Sequence, residues 1–353
     1  MTRRKMFKVL AATATSMSTL PWLLSAVPSK KRLGIGMHSY GFHWQAARDR
    51  NPNANFSGAL EFLEYCHKLG AGGVQVTIPS KEQNDARRIR AKAEEYQMYF
   101  EGQLSLPKTD SDLARFETEL RSAKEAGATV VRAVLLGGRR YETFRSAEAF
   151  KQFRDNSWKS LTLAEPVLKR HGLRLAIENH KDLLASELVE VLRRLSSEFI
   201  GVCLDFGNSI ALLEEPMEVV QALAPFAFST HIKDMAVAEY EDGFLLSEVP
   251  LGQGFLDLRQ IISVLQKANP AIQFNLEMIT RDPLKIPCLT NGYWVTMENM
   301  QASRLAQTLA LVKKNAASKP LPHTTGLSIG EQLKFEDANV RQSLAFARQN
   351  LNL

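Results

Sequence analysis

The sequence predicts an α/β fold, a (β/α)8 TIM barrel with a C-terminal helical extension. After residue 30, short apolar segments alternate eight times with longer segments of helical period. Glycines stand where several of these helices end and the next strand begins. A doubly wound open sheet is the alternative, but the first strand, GIGMHSYG, lacks the G-x-G-x-x-G phosphate loop of that fold.

The eight predicted strands cover residues 33–40, 73–79, 98–106, 129–136, 173–180, 200–206, 226–233 and 272–279. Between them, stretches such as GALEFLEYCHKLGA have a helical repeat, and Gly70, Gly127 and Gly172 are placed to end helices. We therefore expect the barrel over residues 33–300. Residues 301–353 are predicted to form extra helices that pack on the barrel.

Composition sets limits on the class of protein. The chain has 353 residues, of which 45% are hydrophobic and 23% charged, which is ordinary for a globular protein. No internal run of about 18 apolar residues occurs, so no membrane-spanning helix is expected in the mature chain. Cys66, Cys203 and Cys288 are too widely spaced for a disulfide framework or a thiolate metal site.

The N-terminal segment, residues 1–26, is predicted to be a signal peptide. It has a basic start, a modestly apolar middle and a small-residue cleavage site at Leu24-Ser25-Ala26. The pair Arg3-Arg4 resembles a twin-arginine signal, although Phe7 comes one place late. We expect export to the periplasm or the extracellular space, with no stable membrane association after cleavage. A frayed basic helix is the alternative.

Cleavage of the predicted signal peptide would lower the net charge of the chain. The formal net charge of the full chain is +6, but the predicted signal contains Arg3, Arg4, Lys5 and Lys8 and no acid. Without these four, 40 basic and 38 acidic residues remain, a net charge of +2. No basic block or aromatic-interleaved basic stripe remains, so no nucleic-acid partner is expected.

Strand parity predicts which side chains enter the barrel. Successive residues of a strand point to opposite faces, and the apolar face of a barrel strand meets the helices. The residues expected to point outward are Leu175, Ile177, Val202, Leu204, Phe228, Ile232, Phe274, Leu276 and Met278. Four ionisable residues then point inward near the carboxyl ends of the last four strands: Glu178, Asp205, His231 and Glu277.

Three carboxylates and one imidazole that converge would repel one another without a cation. Oxygen-rich sites with one histidine suit Mn²⁺, Mg²⁺ or Co²⁺, with Zn²⁺ as an alternative. Singly, a solvated strand-end acid or a hydrogen-bonded histidine explains each residue. Four matching positions on successive strands favour one divalent metal ion bound by all four.

These residues also carry a family resemblance. The segments AIENH, CLDFGN, THIKD and NLEM, within residues 33–300, resemble the xylose-isomerase-like barrel superfamily of sugar (phosphate) isomerases and epimerases. That superfamily also contains endonuclease-four-type enzymes and inosose dehydratases. The resemblance implies that the four residues bind one divalent metal ion and that Glu178 and Glu277 form the catalytic acid–base pair.

The sequence departs from the ketose epimerases of that superfamily at three places. Those enzymes have a histidine three residues after the strand-six aspartate, where this chain has Asn208. The ketose epimerases also have a glutamate and an arginine that bind the substrate, and this chain has Leu184 and Val237 at the corresponding positions. The substrate therefore does not carry over, and the missing histidine argues against the trinuclear site of DNA repair.

Other polar residues are predicted to contact substrate. Lys233 and Arg281 follow a ligand on its own strand face, at +2 and +4, and can hold an anion or polarise a carbonyl. Trp294, in the long segment TRDPLKIPCLTNGYW, either stacks on a sugar ring or pins the loop. The further inward-pointing candidates are His38, Gln75, Glu101, Arg132 and His180.

The leading functional prediction is a metal-dependent isomerase or epimerase of a sugar or sugar derivative, acting through an enediolate. The alternative in the same site is a lyase, dehydratase or hydrolase acting on a keto-sugar, keto-glycoside or inosose. A non-catalytic sugar-binding barrel is the third reading. The expected partner is a small sugar, unphosphorylated because the protein is exported. A homo-oligomer is left open.

Export predicts a mature chain that begins near Val27. Replacing Arg3 and Arg4 together by lysine is expected to block export by the twin-arginine route, because that route reads the arginine pair. N-terminal sequencing of the extracytoplasmic protein measures the first outcome and cell fractionation the second. An intact Met1 outside the cytoplasm would contradict cleavage.

Overall fold

The computed structural model describes residues 32–78, 85–297 and 300–353. The predicted signal peptide lies outside these ranges. The strands, in chain order, are β1 Gly34–Gly36, β2 Gly73–Val76, β3 Tyr99–Gln103, β4 Val130–Ala133, β5 Arg174–Glu178, β6 Ile200–Asp205, β7 Ala227–Ile232, β8 Asp234–Tyr240, β9 Gly243–Val249, β10 Gln273–Leu276 and β11 Leu284–Ile286.

The helices lie mostly between the strands. They are α1 Gly41–Arg48, α2 Ala59–Lys68, α3 Ala86–Tyr96, α4 Leu113–Glu125, α5 Arg140–Thr143, α6 Ala147–His171, α7 Ala185–Leu195, α8 Pro216–Leu223, α9 Leu258–Ala268, α10 Asn291–Trp294, α11 Ala302–Asn315 and α12 Ile329–Phe346. A π-helix, Ala347–Leu351, continues α12. None of the helices in the described ranges is long and apolar enough to cross a bilayer.

Eight strands close a parallel barrel in the order β1-β10-β7-β6-β5-β4-β3-β2. Each predicted strand contains one of them, so the predicted TIM barrel is confirmed and β10 is its eighth strand. Gly70, Gly127 and Gly172 follow α2, α4 and α6 with positive φ, a conformation that suits glycine.

Strand parity is confirmed for most of the barrel. The main core cluster between strands and helices contains Leu175, Ile177, Val202, Leu204, Ile232, Phe274, Leu276 and Met278. A small second cluster, Val130, Ala176 and Cys203, consists of residues from the opposite faces of β4, β5 and β6. The barrel interior below the ionisable residues therefore contains the small and medium side chains of this cluster.

The prediction that Phe228 points outward was wrong. The β6–β7 pairing shifts register, because Val202 lies opposite Ala227 while Cys203 lies opposite Ser229. Phe228 is the extra residue of this β-bulge, and its ring packs against the inner cluster of Val130, Ala176 and Cys203. The bulge also keeps Ser229 and His231 on the inner face, so the ligand assignment survives.

Strands β8 and β9 form a hairpin inserted between β7 and α9, which the sequence analysis did not predict. With β11 they make a separate antiparallel sheet in the order β11-β9-β8. The carboxylate of Asp234 fixes the base of the hairpin, since it accepts hydrogen bonds from the backbone N–H groups of Gly252 (2.9 Å), Gly254 (3.0 Å) and Leu256 (3.2 Å). The pattern that could have revealed the hairpin is Asp242-Gly243 between two strand-like runs.

Helix α12 belongs to the outer layer of the barrel. Its residues Val340 and Leu344 lie in the main core cluster, and residues Lys31–Leu353 form one compact unit. Its Glu336 carboxylate accepts hydrogen bonds from the N–H groups of Phe42 (2.9 Å) and His43 (3.0 Å), in the first turn of α1. The C-terminal helix α12 therefore packs on the barrel, and the boundary at residue 300 stays a prediction.

Glu336→Ala is expected to lower the free energy of unfolding by about 1–3 kcal/mol, because it leaves two donors at the start of α1 without their acceptor. Glu336→Gln should lose less, since the amide keeps one oxygen acceptor. Chemical denaturation measures both variants, with Lys334→Ala, an exposed site on the same helix, as the control. An unchanged Glu336→Ala variant would show that α12 does not secure α1.

Candidate active site and metal centre

The four predicted ligands meet at the carboxyl ends of β5, β6, β7 and β10. His231 Nδ1 lies 3.4 Å from Glu178 Oε2, 3.4 Å from Glu277 Oε1 and 3.8 Å from Asp205 Oδ2. One ligand atom from each residue lies within 4.8 Å of the others, and all four residues are at most 3% exposed. This buried group could hold a metal ion.

The tautomer of His231 is fixed by a chain of buried side chains. Its Nε2 lies 2.7 Å from Gln75 Oε1, an acceptor, so Nε2 carries the proton. Gln75 is oriented in turn because its Nε2 donates to Glu101 Oε2 at 2.9 Å. Nδ1 therefore faces the three carboxylates, where it can exchange a proton for a metal ion, as a metal-ligating histidine requires.

A cation fits this arrangement. Among the described residues, His231 Nδ1 has no hydrogen-bond partner. Burial disfavours a charge on the imidazole, but Cys203, Glu277 and Glu178 outweigh it and raise the pKa of His231 well above its ordinary value. The centre thus favours added positive charge, and oxygen ligands with one imidazole suit a hard or borderline divalent ion.

Two residues predicted to contact substrate, Arg132 and Lys233, bond the candidate metal ligands in this structure, and their contact with substrate stays a prediction. The Arg132 guanidinium donates to Glu178 Oε2, with Nε at 2.7 Å. Lys233 Nζ lies 2.6 Å from Glu277 Oε2 and 2.7 Å from Asp205 Oδ2. Burial favours the neutral carboxyl group, but Arg132 outweighs it and holds the pKa of Glu178 well below its usual value, and His231 and Lys233 do the same for Glu277. Both glutamates are therefore ionised.

The remaining ligand oxygens are fixed by amide groups. Asp205 Oδ1 accepts from the backbone N–H groups of Gly207 (2.9 Å) and Asn208 (2.8 Å). Asn208 Nδ2 donates to Glu178 Oε1 at 2.9 Å. Asn179 brackets the end of β6, because its side chain bonds both the N–H (2.8 Å) and the carbonyl (2.6 Å) of Asp205. Asn208 thus orients a ligand where the epimerases carry a histidine.

Glu101 lies one layer nearer the amino ends of the strands. Its Oε2 accepts hydrogen bonds from Gln75, Ser229 Oγ (2.6 Å) and Asn275 Nδ2 (3.0 Å), and Ser229 and Asn275 each precede a ligand by two residues. Burial raises the pKa of Glu101. Through these contacts Glu101 orients Gln75, the partner of His231, and two residues that precede ligands. Its contact with substrate stays a prediction.

The two histidines near the site are neutral donors. His38 Nε2 donates to Gln103 Oε1 at 3.1 Å, and burial lowers its pKa. His180 Nδ1 donates to the carbonyl of Gly138 at 3.2 Å, and burial lowers its pKa to about 4. Because His180 uses Nδ1 in this way, its Nε2 is left as an acceptor.

The aromatic pair of the loop after β10 has structural contacts. Trp294 Nε1 donates to the carbonyl of Cys288 at 2.9 Å, and the buried Tyr293 donates to the carbonyl of Ala211 at 2.8 Å. Both rings pack in the cluster between the hairpin sheet and the loop. The contacts favour the loop-pinning alternative, and stacking of Trp294 on a sugar stays a prediction.

Two charged residues of this region were not predicted from the sequence. Glu248, on the inserted hairpin, is 2% exposed and accepts from Arg281 Nη2 (2.5 Å) and Nε (3.1 Å), so the predicted substrate contact Arg281 has a carboxylate partner. Lys181 is also 2% exposed, and its ammonium donates to Asn208 Oδ1. Lys181 directly follows the AIENH segment, which was the available signal.

One curated relative has a known reaction. The chain is 28% identical over 231 residues to the 3-oxo-isoapionate decarboxylase of Pectobacterium atrosepticum, an alignment that covers 64% of this chain and 78% of the relative. The relative is therefore aligned over most of its length, and a decarboxylase is among the proteins to which this chain is similar.

Two solved structures illustrate the likeness of fold. A D-psicose 3-epimerase, crystallised in the presence of D-fructose, matches with a TM-score of 0.55 and 14% identity, covering 91% of this chain and 100% of that one. A xylose isomerase-like TIM barrel protein from Mycobacterium smegmatis, in complex with magnesium, matches with a TM-score of 0.52 and 16% identity, covering 79% and 98%. At sequence identities this low, the structural matches show that the barrel fold is shared and no more.

The family model described as "Xylose isomerase-like TIM barrel" matches residues 63–306. This range contains seven of the eight barrel strands and all four residues of the candidate metal centre. On this match and the closed parallel barrel, the chain belongs to the xylose isomerase-like TIM barrel family.

Proposed function

We propose that the protein is a metal-dependent isomerase or epimerase that transfers a proton at the carbon next to the carbonyl of an unphosphorylated sugar or sugar derivative. The observation that carries the proposal is the paired approach of Glu178 and Glu277, each 3.4 Å from His231 Nδ1. They come from the two strands that flank β6 and β7, so a substrate bound at the centre has one carboxylate on either side.

The four ligands would hold one divalent ion, Mn²⁺, Mg²⁺ or Co²⁺, with Zn²⁺ as the alternative. When bound, this ion supplies a Lewis acid that polarises the substrate carbonyl. Asp205 and His231 serve the ion alone, because their other polar atoms are bonded to backbone N–H groups and to Gln75.

The two glutamates divide the proton transfer. One removes the proton alpha to the carbonyl, and the other returns a proton to the resulting enediolate. Arg132 and Lys233 each bond a glutamate, which fixes its direction and keeps it ionised between turnovers. The burial of both carboxylates excludes water that would otherwise quench the enediolate.

A second candidate is favoured by the relative that decarboxylates a 3-oxo sugar acid. In that reaction the bond between the alpha carbon and the carboxyl carbon breaks, carbon dioxide leaves, and the electron pair stays in the enediolate. A single residue then protonates the alpha carbon. The same centre suits this lyase, and it needs one proton donor instead of an acid–base pair.

The proposal includes an extracytoplasmic location, because the N-terminal segment has the features of a twin-arginine signal. Unphosphorylated sugars are the expected substrates there. A non-catalytic sugar-binding barrel would need no paired, ionised glutamates at its centre.

Metal binding is expected to depend on Asp205 and His231. Asp205→Ala and His231→Ala should lose most bound metal, since each removes a ligand, while the barrel stays folded. Gln75→Leu should weaken metal binding about 10–100-fold, because outer partners of a ligating histidine contribute at that level. Metal analysis with circular dichroism measures all three, and full occupancy in either alanine variant would rule out the four-ligand site.

Glu178→Gln and Glu277→Gln are expected to lower kcat about 10²–10⁴-fold with the metal largely retained. The amide oxygen still reaches the ion but cannot take a proton. The assay incubates metal-loaded protein with a panel of keto-sugars and keto-sugar acids in D₂O and follows deuterium incorporation, product identity and released carbon dioxide.

An exposed site, Glu190→Gln, provides the control. If each glutamate serves one face of the carbon, one variant will still exchange the alpha proton with solvent but form no product. Carbon dioxide release would instead establish the lyase. Near-normal turnover in both variants would leave the glutamates as metal ligands only and refute the paired mechanism.

A further inference from the structure

Lys181 differs from the other buried cations around the centre. Arg132 is paired with Glu178, Lys233 with Asp205 and Glu277, Arg281 with Glu248, and Arg140 with Glu187. Lys181 bonds a neutral group, the amide oxygen of Asn208, and has no carboxylate within ion-pairing distance among the described residues. The only buried cation of this set without an anionic partner therefore stands beside the metal centre.

An unpaired buried ammonium is costly, because desolvation of an ion is repaid only by an opposite charge or strong hydrogen bonds. Burial first, and then Arg281 and Lys233, lower the pKa of Lys181 to about 8. The group remains mostly protonated at neutral pH. A buried charge that is itself in no ion pair is typical of a residue whose partner is a bound ligand.

The position of Lys181 ties it to the reacting centre. Asn208 accepts from Lys181 through Oδ1 and donates to Glu178 Oε1 through Nδ2 at 2.9 Å, so one amide separates the ammonium from a metal ligand. The charges of Lys233, Arg281 and Glu248 also act on Lys181. An anionic group on a substrate at the metal centre would thus find Lys181 within one side chain's reach of Glu178.

We propose that Lys181 binds a carboxylate of the substrate, which makes keto-sugar acids, and not neutral keto-sugars, the substrate class of this site. The inference rests on the proposed function only in placing the substrate at the four-ligand centre. It holds for an isomerase, an epimerase or a lyase.

A carboxylate fits better than a phosphate. Among the buried cations described around the centre, Lys181 alone has no anionic partner, since Nε and Nη2 of Arg281 are bonded to the two oxygens of Glu248. A phosphate dianion has three acceptor oxygens and is normally held by several arginine or backbone N–H donors. A single lysine satisfies the smaller charge of a carboxylate.

The test measures binding, independently of turnover. Mature protein loaded with Mn²⁺ is titrated with 2-keto-D-gluconate and 5-keto-D-gluconate, with the neutral ketoses D-fructose and D-tagatose, and with D-fructose 6-phosphate. The wild type should bind at least one keto acid about 10- to 100-fold more tightly than the ketoses, because a hydrogen bond between charged groups contributes an affinity gain of that size.

Lys181→Met is expected to lower the affinity for the keto acid to that for D-fructose, so the ratio of the two affinities, measured at saturating Mn²⁺, falls to about one. A purely structural role would weaken all ligands together. Lys181→Arg should retain part of the preference, and Lys285→Met, an exposed lysine on β11, should retain all of it.

Equal affinity of the wild type for keto acids and ketoses would overturn the proposal, and so would a preference that survives in Lys181→Met. Tighter binding of D-fructose 6-phosphate than of the keto acids would overturn the choice of a carboxylate. If Lys181→Met fails to fold, the wild-type ratio and Lys181→Arg decide the matter. Failure of the proposed function appears separately, as absence of both deuterium exchange and carbon dioxide release.

Discussion

The need to neutralise three buried carboxylates governs the centre of this barrel. Glu178, Asp205 and Glu277 converge on His231 with almost no exposure to water, and such a group is stable only when cations lie among them. Arg132 and Lys233 supply part of that charge, and His231 Nδ1, which has no hydrogen-bond partner among the described residues, leaves a position for a proton or a metal ion. The surrounding amides of Asn179, Asn208 and Gln75 then serve to keep each oxygen and nitrogen aimed at one point.

Much of this could be predicted from sequence because a β-strand has a strict period of two. The apolar residues Leu175, Ile177, Val202 and Leu204 fix which face meets the helices, and so fix Glu178 and Asp205 on the other. Because Glu178 and Asp205 are the last residues of their strands, their side chains lie at the carboxyl end of the barrel. The prediction needed no tertiary information, since closure of the barrel brings the strand ends together.

The rest depended on contacts that parity does not encode. At Phe228 a bulge adds one residue. The alternation of residues along the strand predicts that this aromatic side chain points outward, but the bulge turns it into the barrel interior. Lys233 and Arg132 each pair with a carboxylate from another strand, a relation that depends on how the strands are staggered in the barrel. Glu248 could not be placed without the inserted hairpin, and Lys181 is distinguished only by comparing the partners of all neighbouring cations.

The contact between α1 and α12 has a consequence for how the chain acquires its fold. Glu336 and Asp337 bond groups near residue 42 and Tyr40 across sequence separations of 294 and 297 residues. Contacts this remote form slowly, because the closure entropy of almost the whole polypeptide opposes them. During synthesis α1 cannot form its contacts with α12 until α12 has been made, so the pairing of β1 with β10, which closes the barrel, is expected to form late. A ribosome-bound intermediate would expose apolar surface there, where chaperones could bind it.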